Sequence, residues 1–418
     1  MSLQTKQTTE LTFSSLGLSP KLLAILAKLH FTTPTPIQAQ AIPVASRGED
    51  IIGIAQTGTG KTLAFALPLI TRIAQHKRQG LVLVPTRELA EQVAESFQQV
   101  GRTLNLRLAL LIGGAPMGRQ VRDIQRKPHV IIGTPGRIND HLERGTLKLH
   151  GVGGLVLDEA DRMLDMGFAP QIKKIVRHVP ATRQTMLFSA TMPTAIVRLA
   201  AAYMKKPVRV EVTPPGTVVA KVSQELFIVQ RDQKNRLLDK LLTECSGTVL
   251  VFSRTKYGAK KICRAMRSAN HAVAEIHSNL SPAQRRRALA GFKTGTYRVL
   301  VATDIASRGI DVSDIELVVN YDLPDQLEDY VHRIGRTGRA GKAGRAISFV
   351  NPDQHHQIKL IERLVQKRLS VSRLPQLGVE RAPERMVHKP ARTVGRGKPH
   401  FAQPAGRASR GRRARVRI

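Results

Sequence analysis

The chain has 418 residues, 42% of them hydrophobic, with a formal net charge of +35 and a pI near 11.2. That length allows two ordinary domains and a tail around packed cores. With two cysteines (Cys245 and Cys263), no Cys/His cluster at ligand spacing and no apolar run near the ~18 residues of a membrane span, composition excludes a disulfide framework, a zinc module and a bilayer protein.

The charge points to a polyanion, most simply nucleic acid. Residues 376–418 carry twelve Lys/Arg and two Glu, a net of +10, so the body holds the other +25. A basic surface kept for solubility alone is disfavoured, because such an imbalance repels itself unless a partner neutralises it. The N-terminal fifteen residues contain no apolar signal core, and a cytoplasmic protein is expected.

Short apolar, β-branched runs alternate with helical patterns along the chain. The first set is 51–54, 81–84, 108–112, 130–132, 155–157 and 186–188. The second is 227–229, 249–252, 272–276, 299–301, 317–319 and 347–350. The pattern predicts parallel sheets covered on both faces. Between the sets, Pro214-Pro215-Gly216 breaks any element. The expected organisation is an α/β domain over 1–211, a linker at 212–220, a second α/β domain over 221–375 and a tail at 376–418. Leu81-Val82-Leu83-Val84-Pro85-Thr86-Arg87 and Val249-Leu250-Val251-Phe252-Ser253-Arg254 share a strand-then-polar layout, so the domains are expected to be of related design. From Arg381 onward Gly, Pro, Arg and Ala dominate and Phe401 is the only Phe, Tyr or Trp, a composition expected to be disordered.

Nearly every polar signature follows an apolar run, and ligands of open α/β sheets sit at the carboxyl ends of strands. After 51–54 comes Ala55-Gln56-Thr57-Gly58-Thr59-Gly60-Lys61-Thr62, a phosphate-loop pattern with Ala55 in place of its first Gly. Gly58 and Gly60 let backbone N–H groups face phosphate oxygens. Lys61 is expected to reach the β and γ phosphates, and Thr62 to offer a hydroxyl to Mg²⁺. The helix that follows adds its positive end. Asp158-Glu159-Ala160-Asp161 follows 155–157. Asp158 is expected to hold Mg²⁺ through water, and Glu159 to orient and deprotonate the attacking water. These two segments imply nucleoside triphosphate hydrolysis.

The third cluster is His332-Arg333-Ile334-Gly335-Arg336-Thr337-Gly338-Arg339. Its three arginines at three-residue spacing would line one side of a helical turn and its exit. By itself the stretch reads equally as a basic RNA-contact helix. Beside the loop and the carboxylates, Arg336 and Arg339 are favoured as arginine fingers on the transferring phosphoryl group.

With these motifs in order over roughly residues 13–350, the chain resembles the DEAD-box ATP-dependent RNA helicases, and among them the bacterial RhlE-type group. The resemblance implies two tandem RecA-like domains flanking a cleft, with ATP and Mg²⁺ on the first. Phe31-Thr32-Thr33-Pro34-Thr35-Pro36-Ile37-Gln38 is similar to the family's adenine-reading motif, with Gln38 on the adenine edge and Phe13 packing from upstream. The family usually has Gly where this chain has His30. Ser189-Ala190-Thr191 resembles the segment coupling hydrolysis to strand separation, its hydroxyls linking Asp161 to His332. Ala302-Thr303-Asp304-Ile305-Ala306-Ser307-Arg308-Gly309-Ile310-Asp311 resembles the motif touching both ligands. There Asp311 would meet the ribose, Arg308 the hydrolytic network, and Thr303 and Asp304 the RNA.

The resemblance also implies RNA contacts from Pro85, Thr86, Arg87 and Glu88, from Gly113 and Gly114, and from Thr134, Pro135, Gly136 and Arg137. In the second domain they fall to Ser253, Arg254, Gln284 and Arg287. Such small, hydroxyl and Arg residues suit phosphate and 2′-hydroxyl contacts and read no base edges. The chain has no Trp and five Tyr, too few exposed rings for extensive base stacking, so sequence-independent binding is expected. Expected partners are RNA, ribosomal precursor particles and RNA-degradation machinery, with a monomeric core. Two rivals stay open: an ATP-gated RNA clamp with the same motifs, and a tail-driven annealing protein with a vestigial ATPase. A DNA translocase is a weaker third, lacking a stepping domain.

Overall fold

The apolar runs form strands because β-branched and aliphatic residues suit a pleat buried on both faces. The computed structural model describes residues 11–56, 58–212, 222–304, 315–338 and 344–375. The first sheet contains β1 (Ile51–Ile54), β2 (Gln79–Leu83), β3 (Leu108–Leu111), β4 (Val130–Gly133), β5 (Val152–Leu157), β6 (Gln184–Ser189) and β7 (Val208–Glu211). The second contains β8 (Val222–Ile228), β9 (Val249–Phe252), β10 (Val273–Ile276), β11 (Val299–Ala302), β12 (Leu317–Asn320), β13 (Gly344–Val350) and β14 (Ser370–Ser372).

The first sheet runs β3-β4-β2-β5-β6-β1-β7 and the second β10-β11-β9-β12-β13-β8-β14. Each strand of the second occupies the place of the strand seven earlier in the first. All the described ladders are parallel. The expected related design is therefore a repeated topology. Alternate residues of β5 serve opposite cores: Val156 packs with Phe65, Phe97 and Phe188, whereas Leu155 and Leu157 pack with Met163, Ile172 and Ile175.

Two strands went unpredicted. β7 reads Val-Arg-Val-Glu, with only Val210 buried, and β14 is Ser-Val-Ser with no buried residue. Both are edge strands, where polar and charged side chains are tolerated and apolar runs are not required. β8 also begins five residues before the expected 227–229, because Ser223, Gln224 and Glu225 interrupt its apolar pattern. Except for Val212, the expected linker lies outside the described residues, as does the tail from 376. Among the described residues no helix is long and apolar enough to cross a membrane.

Candidate active site

The register places the signatures. Ile54 at the end of β1 pairs with Ser189 at the end of β6, and Leu157 at the end of β5 pairs with Leu83 of β2. The phosphate loop, the Asp158–Asp161 turn and the Ser189–Thr191 segment thus follow the adjacent strands β1, β5 and β6. The expected RNA segments follow β2, β3 and β4, the other half of the same edge. One sheet edge thus carries both sets of expected segments.

In the loop, Gly58 and Gly60 have φ of 84° and 89°, left-handed values that a side chain rarely adopts. Gly60 caps the helix Lys61–His76, and a Cβ there would strike Gln38 Nε2 and Thr35 Oγ1. Buried Lys61 donates from Nζ to Ala55 O at 2.8 Å, and Thr59 Oγ1 donates to Gln56 O at 2.7 Å. Thr57 lies outside the described residues.

Gln38 belongs to the helix Pro36–Ser46. Its Oε1 accepts from Thr35 N at 2.9 Å, and its Nε2 donates to Gly60 O at 3.0 Å. The carboxamide therefore ties this helix to the phosphate loop and retains one N–H and one lone pair. His30 takes φ of 62°, so a His supplies the left-handed turn for which the family uses Gly. Phe31 is 39% exposed, whereas Phe13 packs into the core with Leu16, Leu22 and Ile25.

Asp158 and Glu159 are both buried. Glu159 has φ of 50° and ψ of 51°, a conformation that costs a non-Gly residue energy and recurs at functional sites. Its Oε2 is buried without a hydrogen-bond partner. Burial pushes the Asp158 carboxyl up to about 7 against the pull of Lys61, with Glu159 and Asp161 adding repulsion. An under-satisfied, desolvated carboxylate pair fits a hard cation with oxygen ligands. Among the described residues no three His, Cys, Asp or Glu could hold a metal by themselves, so phosphate oxygens, water and Thr62 would complete any Mg²⁺ shell.

Asp161 differs from Asp158. Its Oδ2 accepts from Ala190 N, Thr191 N and Thr191 Oγ1, each at 3.0 Å, and Oδ1 accepts from Arg162 N at 2.9 Å. Burial alone would raise its pKa, but nearby His332, Lys61 and Arg162 and these donors hold it below the ordinary range. His332 is pushed down to about 3 by burial and by Arg162, Arg336 and Lys61, with Asp161 opposing. Of the two expected coupling hydroxyls, Thr191 reaches Asp161, whereas buried Ser189 Oγ has no hydrogen-bond partner.

The arginines of the third cluster diverge. Arg333, in the last turn of the helix Leu327–Ile334, makes a bidentate pair with Asp304 at 2.6 Å for each bond. It also donates to Asn320 Oδ1 and Asp322 O, and its guanidinium lies 5.0 Å from the Phe252 ring centroid. Arg333 therefore braces its own domain, while it also borders the small cavity that Arg336 lines. Arg336 is buried and lines a small cavity with Arg162, Asp329 and His332. Arg308, Asp311 and Arg339 lie outside the described residues.

On the RNA side, Arg87 is exposed and its guanidinium covers Gly113 and Gly114; a Cβ at Gly114 would strike it. Gly114 has φ of 81°, and Pro282 of the second domain also borders it. Pro85 is buried, and Thr86 caps the helix Arg87–Gly101 by accepting from Leu89 N at 3.3 Å. Thr134 precedes the helix Pro135–Glu143, whose Arg137 donates to Ala115 O at 3.1 Å. In the second domain Ser253 is fully buried and Arg254 pairs with Asp325 at 3.3 Å. Gln284 Oε1 is spent on a capping box with Ser281, Arg287 is exposed, Thr303 is buried and Asp304 is held by Arg333.

Residues 35–199 match the family model described as DEAD/DEAH box helicase, and residues 233–341 match Helicase conserved C-terminal domain. The DEAD-box ATP-dependent RNA helicase CshA of Bacillus cereus is 45% identical over 369 residues, 88% of this chain and 70% of that protein. The chain belongs to the DEAD/DEAH box helicase family. A CshA from Geobacillus kaustophilus is 44% identical over 88% of this chain and 79% of its own length. Among solved structures, S. cerevisiae Dbp5 bound to RNA and ADP BeF3 matches this helicase fold with a TM-score of 0.78 at 32% identity, covering 87% of this chain and 95% of that one. Mss116p bound to ssRNA and AMP-PNP matches with a TM-score of 0.80 at 25% identity, covering 88% and 80%.

The motifs of the helicase did not reveal what joins its two RecA-like domains. Arg162 Nη1 pairs with Asp329 Oδ1 at 2.7 Å. At the RNA side Arg285 pairs with Glu88 at 2.8 Å and Arg286 with Glu91 at 3.3 Å. The family resemblance points to Gln284 and Arg287 in that run, but the helix Pro282–Lys293 turns the two intervening arginines toward the first domain. Only the Arg-Arg-Arg run opposite an acidic helix face signalled this.

Proposed function

We infer that this chain is an RNA-stimulated ATPase that binds RNA through its backbone and locally unwinds short duplexes or remodels RNA–protein complexes. The observation that carries the reading is the neighbourhood of His332, where Asp161, Arg162 and Lys61 of one domain meet Arg336 of the other. Bringing the domains together brings these groups together, so nucleotide and RNA each favour binding of the other.

On ATP binding, Lys61 Nζ would leave Ala55 O for a phosphate oxygen. Asp158 and Thr62 would hold Mg²⁺, which neutralises charge on the β and γ phosphates. Glu159 Oε2 would accept the proton of the attacking water, and Arg336, with Arg339, would stabilise charge on the transferring phosphoryl group. The spare N–H and lone pair of Gln38 suit an adenine edge. Thr191 and Asp161 would report the state of the site to His332.

The first domain is assigned to 1–211, the linker to 212–220, the second domain to 221–375 and the basic tail to 376–418. The RhlE-type grouping rests on sequence resemblance alone, since the relatives above carry the name CshA. Ribosomal precursors or RNA-degradation machinery as partners, a monomeric core and a cytoplasmic location complete the proposal.

The test is ATP hydrolysis by purified protein with single-stranded RNA, with single-stranded DNA and without nucleic acid, beside Glu159→Gln. Stimulation by RNA, absent with DNA and lost in the variant, is expected. A rate indifferent to RNA would overturn coupled closure.

A further inference from the structure

The helix Lys256–Ser268 starts directly after Ser253 and Arg254, at the carboxyl end of β9. It contains five Lys or Arg and no acidic residue. Ala259, Ile262, Cys263 and Met266 face the core. Lys260, Lys261 and Arg264 are exposed and, with Tyr257, fall at helical spacing along one stripe.

Tyr257 is 71% exposed, more than any other exposed large hydrophobic side chain among the described residues. Lys256 Nζ stands 5.3 Å from the ring centroid and is itself anchored on Asn279 Oδ1 at 3.1 Å. Gly258 packs so closely on Ser253 that a Cβ would strike Ser253 Oγ, which fixes the first turn against the strand end. The ring is thus held at the mouth of the proposed RNA groove, beside a row of cations.

We propose that this helix face is an additional RNA-binding track: one base of a single strand leaving the groove stacks on Tyr257, and its following phosphates run along Lys260, Lys261 and Arg264. Aromatic stacking accepts any base because every base has a π-face, so the contact fits sequence-independent binding. The inference rests on the RNA reading of Ser253 and Arg254 above. It refines, for this one position, the expectation that exposed rings are too few for extensive base stacking.

The test is fluorescence anisotropy of the full chain with a labelled single-stranded RNA of about 20 nucleotides, intact or carrying one abasic position walked along it. Tyr257→Ala is expected to weaken binding about tenfold, and Tyr257→Phe to bind like the wild type. The Tyr257→Ala loss should vanish for one abasic position, which a structural defect would not produce. Lys260→Ala, Lys261→Ala and Arg264→Ala together should flatten the slope of log affinity against log salt by about 2.

Equal loss on intact and abasic RNA, or no loss, overturns the proposal. If Arg87→Ala and Arg254→Ala weaken binding while Tyr257→Ala does not, the track fails and the groove stands. If none of them matters, the groove reading itself falls. Capture of polyglutamate by this face, lost with the three cations and indifferent to the ring, would assign it to an acidic protein and overturn the RNA track.

Discussion

The two domains are joined differently at the two ends of their common seam. At the nucleotide end Arg162 and Asp329 lie 2.7 Å apart with side chains only 6% and 10% exposed. At the RNA end Arg285 and Glu88 are nearly as sheltered, at 13% and 11% exposure, whereas Arg286 and Glu91 are 61% and 34% exposed. A desolvated pair punishes loss of either partner, whereas an exposed pair is screened by water and salt. The nucleotide end thus has a sheltered pair, and the RNA end joins one sheltered pair to one that water and salt can adjust.

The same contrast exists within four residues of one turn. Asp158 is buried with few donors and is pushed up to about 7; Asp161 is buried among donors and cations and is held low. One carboxylate is left under-satisfied for a ligand to complete. The other is completed by the protein and ties segments together.

The largest expected effect breaks the chemistry and spares the seam. Glu159→Gln keeps the shape but removes the proton acceptor, and turnover should fall roughly 10²–10⁴-fold. ATP-dependent RNA affinity should persist, and single-turnover hydrolysis with parallel RNA binding checks both. Next is Arg162→Ala, which deprives buried Asp329 of its 2.7 Å cation. Closure should lose about 3–5 kcal/mol, read as a steep fall in RNA-stimulated kcat/KM with RNA-free ATP binding preserved. An unchanged kcat/KM would show that the buried pair does not govern closure.

A third prediction uses pH. Folding raises the Asp158 pKa from 3.8 to about 7, so this group favours the folded chain fully below about 4, and that contribution is lost as pH rises through about 7. Mg²⁺-ATP should hold the carboxylate ionised. Binding should release about half a proton at pH 7 and tighten as pH rises toward 7. Calorimetry in buffers of different ionisation enthalpy reads this release, and Asp158→Asn should abolish it.

The smaller effects belong to the RNA end. Glu88→Ala should raise the RNA concentration for half-maximal stimulation about tenfold, the order expected for one largely sheltered ion pair. Glu91→Ala should cost under about 1 kcal/mol and only at low salt. A Glu91 effect that survived high salt would erase the distinction between the two ends.

The sequence determined a good deal by itself. The interior strands, their parallel class, the repeated design and the segments at the strand ends follow from local apolar runs and from residue types that only certain chemistry needs. Such signals lie within a few residues of one another. The tertiary structure alone decided the rest. It added the edge strands β7 and β14, which need no apolar run. It sent Arg333 to Asp304, spent Gln284 on a helix cap and turned Arg285 to Glu88. It also pushed the Asp158 and Asp161 carboxyls in opposite directions from the same residue type. Partners, burial and desolvation are set by segments up to 197 residues apart, as for Glu88 and Arg285. No local pattern encodes which charge will face which.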